Sequence, residues 1–182
     1  VLYSKLLQAC TSGDRPGLFV GEPGTAKTTV VENWMRAQDE QVTRFLTVNF
    51  SSRTSSMDVQ QIIEEKTEKR SGKIYGPPAG KKLVFFVDDL NMAALDKYNT
   101  ASNISLMRQH MGYGHIYDMN KLSQKVLLNT QYLAAMNPTA GSFIVNPRLQ
   151  RLFATFAVSF PSARAAAGSS TVEGRNSFGS SD

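Results

Sequence analysis

Apolar and polar positions alternate along this chain in two rhythms. Strand-length apolar runs occur at Gly17 to Gly21, Phe45 to Phe50, Lys82 to Asp89, Gln131 to Met136 and Ala154 to Phe160. The run Leu83-Val84-Phe85-Phe86-Val87 has no polar alternation, which marks a strand covered on both faces. Between these runs apolar residues recur at helical spacing: Leu2, Leu6 and Leu7; Val30, Val31 and Trp34; Met57, Ile62 and Ile63. They predict a leading helix ending before Thr11, a helix from about Lys27 to Ala37, and one from Ser56 closing near Arg70-Ser71-Gly72. Further helices are expected at about Ser102 to Met111 and Asn146 to Phe153. Tyr75 to Gly80 reads as a loop, and Gly112 to Asp118 as a hairpin or surface insertion. Five buried strands separated by helices imply right-handed crossovers and an α/β fold on a parallel sheet.

The pattern stops at Pro161. Residues 162–182 are rich in Ala, Gly and Ser with almost no core-forming side chains, so a disordered tail is expected behind a domain spanning 1–161. At 182 residues and 41% hydrophobic content the chain can bury one sizeable core. No apolar stretch approaches the ~20 residues of a spanning helix, and the first residues lack the layout of a signal peptide, so no membrane association is expected. The single cysteine, Cys10, builds no disulfide framework and fits a reducing compartment. The formal charge of +5 raises nucleic acid as a partner. The basic residues are scattered rather than striped, however, and no aromatic platforms accompany them, so nucleic-acid binding is not expected.

The chemistry gathers at Gly21-Glu22-Pro23-Gly24-Thr25-Ala26-Lys27-Thr28, which follows the first strand and opens a helix. A glycine-bearing loop in that place aims backbone N–H groups at phosphates, and the helix start adds a positive dipole end. Lys27 is expected to reach the β- and γ-phosphates, Thr28 to hold Mg²⁺ through its hydroxyl, and Thr29 to complete the loop's end. Ala26 stands where the usual pattern has its last glycine. It is expected in right-handed helical dihedrals, which alanine adopts easily. The strand ending in Asp88-Asp89 supplies the other half of a hydrolase site: Asp88 as the carboxylate that holds Mg²⁺ through water, Asp89 to polarise the attacking water. Asn137 ends another strand, where a neutral amide can hold the lytic water or sense the γ-phosphate. Asn-Pro is also an ordinary turn. Arg148 and Arg151 flank a helical turn before the last strand, and either suits an arginine finger toward a neighbouring subunit or plain surface charge. His110 and His115 have no companions at metal-ligand spacing and read as structural.

Rarer strings narrow the reading. Asn49-Phe50-Ser51-Ser52-Arg53-Thr54-Ser55, Tyr75-Gly76-Pro77-Pro78-Ala79-Gly80, Val87-Asp88-Asp89-Leu90-Asn91-Met92, Arg108-Gln109-His110, Met136-Asn137-Pro138-Thr139-Ala140-Gly141-Ser142-Phe143 and Asn146-Pro147-Arg148-Leu149-Gln150-Arg151 resemble axonemal dynein heavy chains. The likeness is to the large α/β part of one AAA+ module, most like the third of the ring. It implies a three-layer P-loop NTPase (AAA+) sandwich with strand order 5-1-4-3-2, and ATP or ADP with Mg²⁺ as cofactors. It also implies neighbouring AAA+ modules of the same heavy chain as direct partners, microtubules as indirect ones, and dynein intermediate and light chains in the full complex. Its setting would be cytoplasm, cytoskeleton and the axoneme of cilia or flagella. By position it gives Gly21 to Thr28 to phosphate, Asp88 and Asp89 to Mg²⁺ and water, Asn137 to sensing, and Arg148 or Arg151 to the neighbour's nucleotide. This sequence departs from the family at Asp89, where ring ATPases usually carry glutamate, at Ala93, where a proline is expected, and at Asn99, where glycine is usual. The lid expected after Pro161 has no counterpart in the residues present. The activity implied is weak or regulatory ATP hydrolysis; the alternative is a module that binds nucleotide without turnover.

Overall fold

The computed structural model describes residues 2–98, 100–119, 121–138 and 145–159. Asn99, Thr139 to Phe143, the end of the last predicted strand at Phe160 and the expected tail of 162–182 lie outside the described residues. A five-stranded, wholly parallel sheet carries the site. Its strands are β1 (Gly17–Val20), β2 (Thr43–Asn49), β5 (Lys82–Asp88), β8 (Thr130–Met136) and β9 (Ala154–Ala157), in the spatial order β2-β5-β8-β1-β9. Counting these five strands alone, that is 5-1-4-3-2 read from the other edge, as the resemblance implies.

The central strands have two buried faces because alternate side chains point to opposite sides of a strand. Val84, Phe86, Leu133 and Ala135 pack with Leu7, Val31 and Trp34 from α1 (Leu2–Ser12) and α2 (Lys27–Arg36). Leu83, Phe85, Val87, Tyr132 and Ala134 face Val59, Ile63, Ile104, Met107 and Leu149 from α3 (Ser56–Glu65), α4 (Ser102–Tyr113) and α5 (Pro147–Gln150). The result is three layers, helices on both sides of the sheet. Phe85 stacks on Tyr132 with ring centroids 5.2 Å apart, and Trp34 meets Phe45 edge-on at 5.5 Å.

Several elements differ from the sequence reading, and the helix expected from Asn146 to Phe153 is the single turn Pro147–Gln150. The leading helix runs on through Ser12, where the Gly13 N–H still reaches the Ala9 carbonyl at 3.0 Å. More importantly, α3 starts on a Ser55–Asp58 capping box but ends at Glu65, not near residue 70. The Thr67 hydroxyl donates to the Ile63 carbonyl at 2.9 Å, closing the last turn. The chain then forms a hairpin, β3 (Glu68–Ser71) with β4 (Ile74–Gly76), around Gly72 at φ 53°. Glycine carries that left-handed turn at no steric cost. The part of Tyr75 to Gly80 read as loop is therefore strand at its start. The segment after α4 does form a hairpin, β6 (His115–Tyr117) with β7 (Gln124–Leu127), and β7 pairs in parallel with β4. These four strands make a second, small sheet that the sequence reading did not contain. Lys125, on β7, fastens it to α3 through Glu64 at 3.1 Å and braces its own hairpin through Asp118 at 2.7 Å.

His110 is buried in α4, between the Tyr132 hydroxyl at 2.8 Å and the Thr130 hydroxyl at 3.0 Å. This matches the structural role expected for it.

Candidate functional site

The loop after β1 is built on three backbone necessities. Gly21 is the first: a Cβ there would lie 2.2 Å from the Val158 carbonyl oxygen, so β1 and the segment leaving β9 approach closely only because position 21 has no side chain. Gly24, at φ 80°, is the second. The third is Ala26, at φ 59° and ψ 27°, the residue before α2. This corrects the expectation of right-handed dihedrals: the position is a left-handed one, where glycine is the unstrained choice, and alanine costs roughly 1–2 kcal/mol. Ala26→Gly is expected to raise stability by about 0.5 kcal/mol, the relieved strain exceeding the extra chain entropy of glycine. Urea unfolding measures it, and an unchanged or lower midpoint would count against a strained Ala26.

Around that backbone the side chains close inward. The Thr25 hydroxyl donates to the Glu22 carbonyl at 2.8 Å. The Lys27 ammonium donates to the Gly21 and Glu22 carbonyls, both at 2.8 Å, and lies 3.4 Å from the Thr25 hydroxyl. Glu22, Pro23, Gly24, Ala26 and Thr29 are exposed at the loop surface, whereas Thr25 is buried. Ala26 offers α2 no side-chain acceptor, so the N–H groups of the helix's first turn and their positive dipole end face the loop mouth.

Sixty positions downstream, β5 delivers its carboxylates to the same edge. Thr28 donates its hydroxyl hydrogen to Asp88 Oδ2 at 2.8 Å, joining loop and strand end directly. Asp88 Oδ1 accepts the Asp89 N–H at 3.0 Å. Asp89 itself sits at φ 51° and ψ 47°, which aspartate tolerates better than most residues. Its carboxyl is held above the ordinary range by desolvation first and the neighbouring Asp88 charge second, with Lys27 opposing. The Thr28–Asp88 oxygens suit Mg²⁺, a hard cation that takes one or two protein oxygens and completes its shell with phosphate and water. Among the described residues no group of three His, Cys, Asp or Glu side chains could hold a metal alone.

Asn137 follows β8 at this edge and is buried, so it joins the constellation. Arg148 and Arg151 are both exposed, and β9, which follows Arg151, begins opposite Gly17, at the far end of β1 from the loop. Arg148 lines a cavity of about 300 Å³ with Ile104, Ser105 and Arg108. Two residues at the strand edge were given no role in the sequence reading. Asn49 ends β2 in register with Asp88, and buried Asn91 lies in the turn Leu90–Met92 just after the carboxylates. Their signal was in the quoted strings, but only the strand register shows which polar side chains share an edge.

A glycine-bearing loop between the first strand and a helix, a Thr–Asp bridge to a central strand, and this parallel order define a P-loop NTPase fold of the AAA+ type. The chain belongs to the family described as P-loop containing dynein motor region, which matches residues 1–161. It is 51% identical over 149 residues to the dynein alpha chain, flagellar outer arm, of Chlamydomonas reinhardtii, covering 81% of this chain. It is 46% identical over 151 residues to dynein axonemal heavy chain 9 of Homo sapiens, covering 83% of this chain. With the dynein beta chain, ciliary, of Tripneustes gratilla it shares 45% over 149 residues, again 81% of this chain. In each case the match spans 3% of the relative's length. No helix among the described residues is long and apolar enough to cross a membrane.

Proposed function

We propose that this chain is a nucleotide-binding module of a ciliary or flagellar dynein heavy chain, most like the third module of the ring. In this reading residues 21–29 hold the phosphates of ATP or ADP. The observation that carries it is the Thr28–Asp88 hydrogen bond of 2.8 Å, which sets a hydroxyl and a carboxylate oxygen side by side at the loop mouth. When bound, Mg²⁺ would neutralise phosphate charge there, held by those two oxygens. Lys27 supplies the positive charge, and the first turn of α2 supplies N–H donors.

Hydrolysis is proposed to be weak or regulatory. Asp89 carries one methylene less than glutamate, so a carboxylate at that backbone position reaches less far toward a water. Asn137 orients that water or reads the terminal phosphate. Arg148 or Arg151, both exposed, faces the nucleotide of a neighbouring module. The direct partners are then the adjoining modules, with intermediate chains, light chains and microtubules belonging to the whole assembly in the axoneme. A module that binds without turnover is the second reading, favoured by the short Asp89 side chain. The domain is proposed to span 1–161, with 162–182 a tail outside it.

Asp88→Asn tests the site directly. The amide oxygen can still accept the Asp89 N–H while the amide nitrogen donates to the Thr28 hydroxyl, so both neighbours keep a partner and the fold is kept while the metal's charge partner is lost. ATP affinity measured by calorimetry is expected to fall about tenfold in Mg²⁺ and to stay within about twofold in EDTA. Equal losses in both buffers would remove Asp88 from the metal role.

A further inference from the structure

Asn91 lies beneath the strand edge with 4% of its surface exposed. The β5–β8 ladder ends at Val87 opposite Ala134, two residues short of the end of β8. Beyond that point the two strand ends are joined differently. On one side of β8, the Gly21 N–H donates to the Met136 carbonyl at 3.3 Å. On the other, the Asn137 N–H donates to Asn91 Oδ1 at 3.4 Å. The left-handed Asp89 turns the chain, and the Met92 N–H closes the turn on the Asp89 carbonyl at 2.8 Å. That turn brings Asn91 back to the end of β8.

We propose that Asn91 is a positioning residue: its side-chain amide continues the interrupted ladder and sets the distance between the carboxylates Asp88 and Asp89 and the end of β8 at Asn137. The inference rests on the nucleotide-site reading above. If Asn137 faces the terminal phosphate, misplacing it discriminates between ATP and ADP, because only ATP has that group. A purely structural asparagine would affect both nucleotides alike.

The test is ATP and ADP binding in Mg²⁺ by the full chain, with Asn91→Leu, which keeps the branched outline of the side chain and removes the acceptor, and Asn91→Ser, which is too short to bridge. Both variants are expected to lose about fivefold in ATP affinity while ADP affinity stays within about twofold. Hydrogen exchange of the Asn137 amide is expected to accelerate in the folded variants. An unchanged ATP-to-ADP ratio, equal losses for both nucleotides, or failure of both variants to fold would overturn the proposal. An unsubstituted chain that binds neither nucleotide would instead overturn the reading of the site itself.

Discussion

Lys27→Ala is expected to weaken nucleotide binding at least about tenfold, for ATP and ADP alike. Two consequences of the same substitution add. The loop loses the only side-chain cation that lies on it, and the Gly21 and Glu22 carbonyls lose the ammonium that now bridges them at 2.8 Å. The second effect loosens the loop before any phosphate arrives. Calorimetry on the two proteins measures the total, and circular dichroism checks that α2 survives. Equal affinities for wild type and variant would remove the phosphate-loop assignment altogether.

Acid is expected to unfold the domain through His110. Burial lowers the pKa of this imidazole from 6.5 to about 4, with the charge of His115 adding a smaller push. In the unfolded chain the same ring takes up a proton near 6.5, so the unfolded state binds more protons between the two values. The contribution is therefore complete above about pH 6.5 and is lost as the pH falls toward 4, roughly 3 kcal/mol in total. Urea denaturation from pH 7 to 4.5 should show this decline, and His110→Gln should flatten it while lowering stability at pH 7. Parallel profiles for the two proteins would place the acid sensitivity elsewhere.

How far the sequence carried the fold depended on whether an element's cause was local. Leu83 to Val87 reads as a doubly covered strand because five apolar residues in succession satisfy both faces of a sheet, and the structure puts it inside the sheet, between β2 and β8, with core on both sides. The phosphate loop was equally readable, since glycine, lysine and threonine at fixed spacing between strand and helix carry their own mechanism. The second sheet was not. Its strand Glu68–Ser71 is exposed at every position, so no apolar rhythm marks it, and β4 finds its partner β7 some fifty positions away. Ala26 failed for a related reason. Its neighbours in sequence permit a helical start, and nothing local marks the left-handed turn that it makes at φ 59° and ψ 27°. Asn49 and Asn91 are ordinary polar residues until strand register puts one beside Asp88 and the other beneath Asn137.

The contact at Gly21 has a mechanical consequence. Where a side chain separates two segments, rotamer changes absorb small displacements, and neighbouring elements shift independently. Here the Val158 carbonyl abuts position 21 with no room for a methyl, and the Val158 N–H holds the Val20 carbonyl at 2.7 Å. Nothing compliant lies between the loop and the edge strand. The start of the loop and the end of β9 must travel as one piece, so a change of loop shape is passed undamped to the outer rim of the sheet.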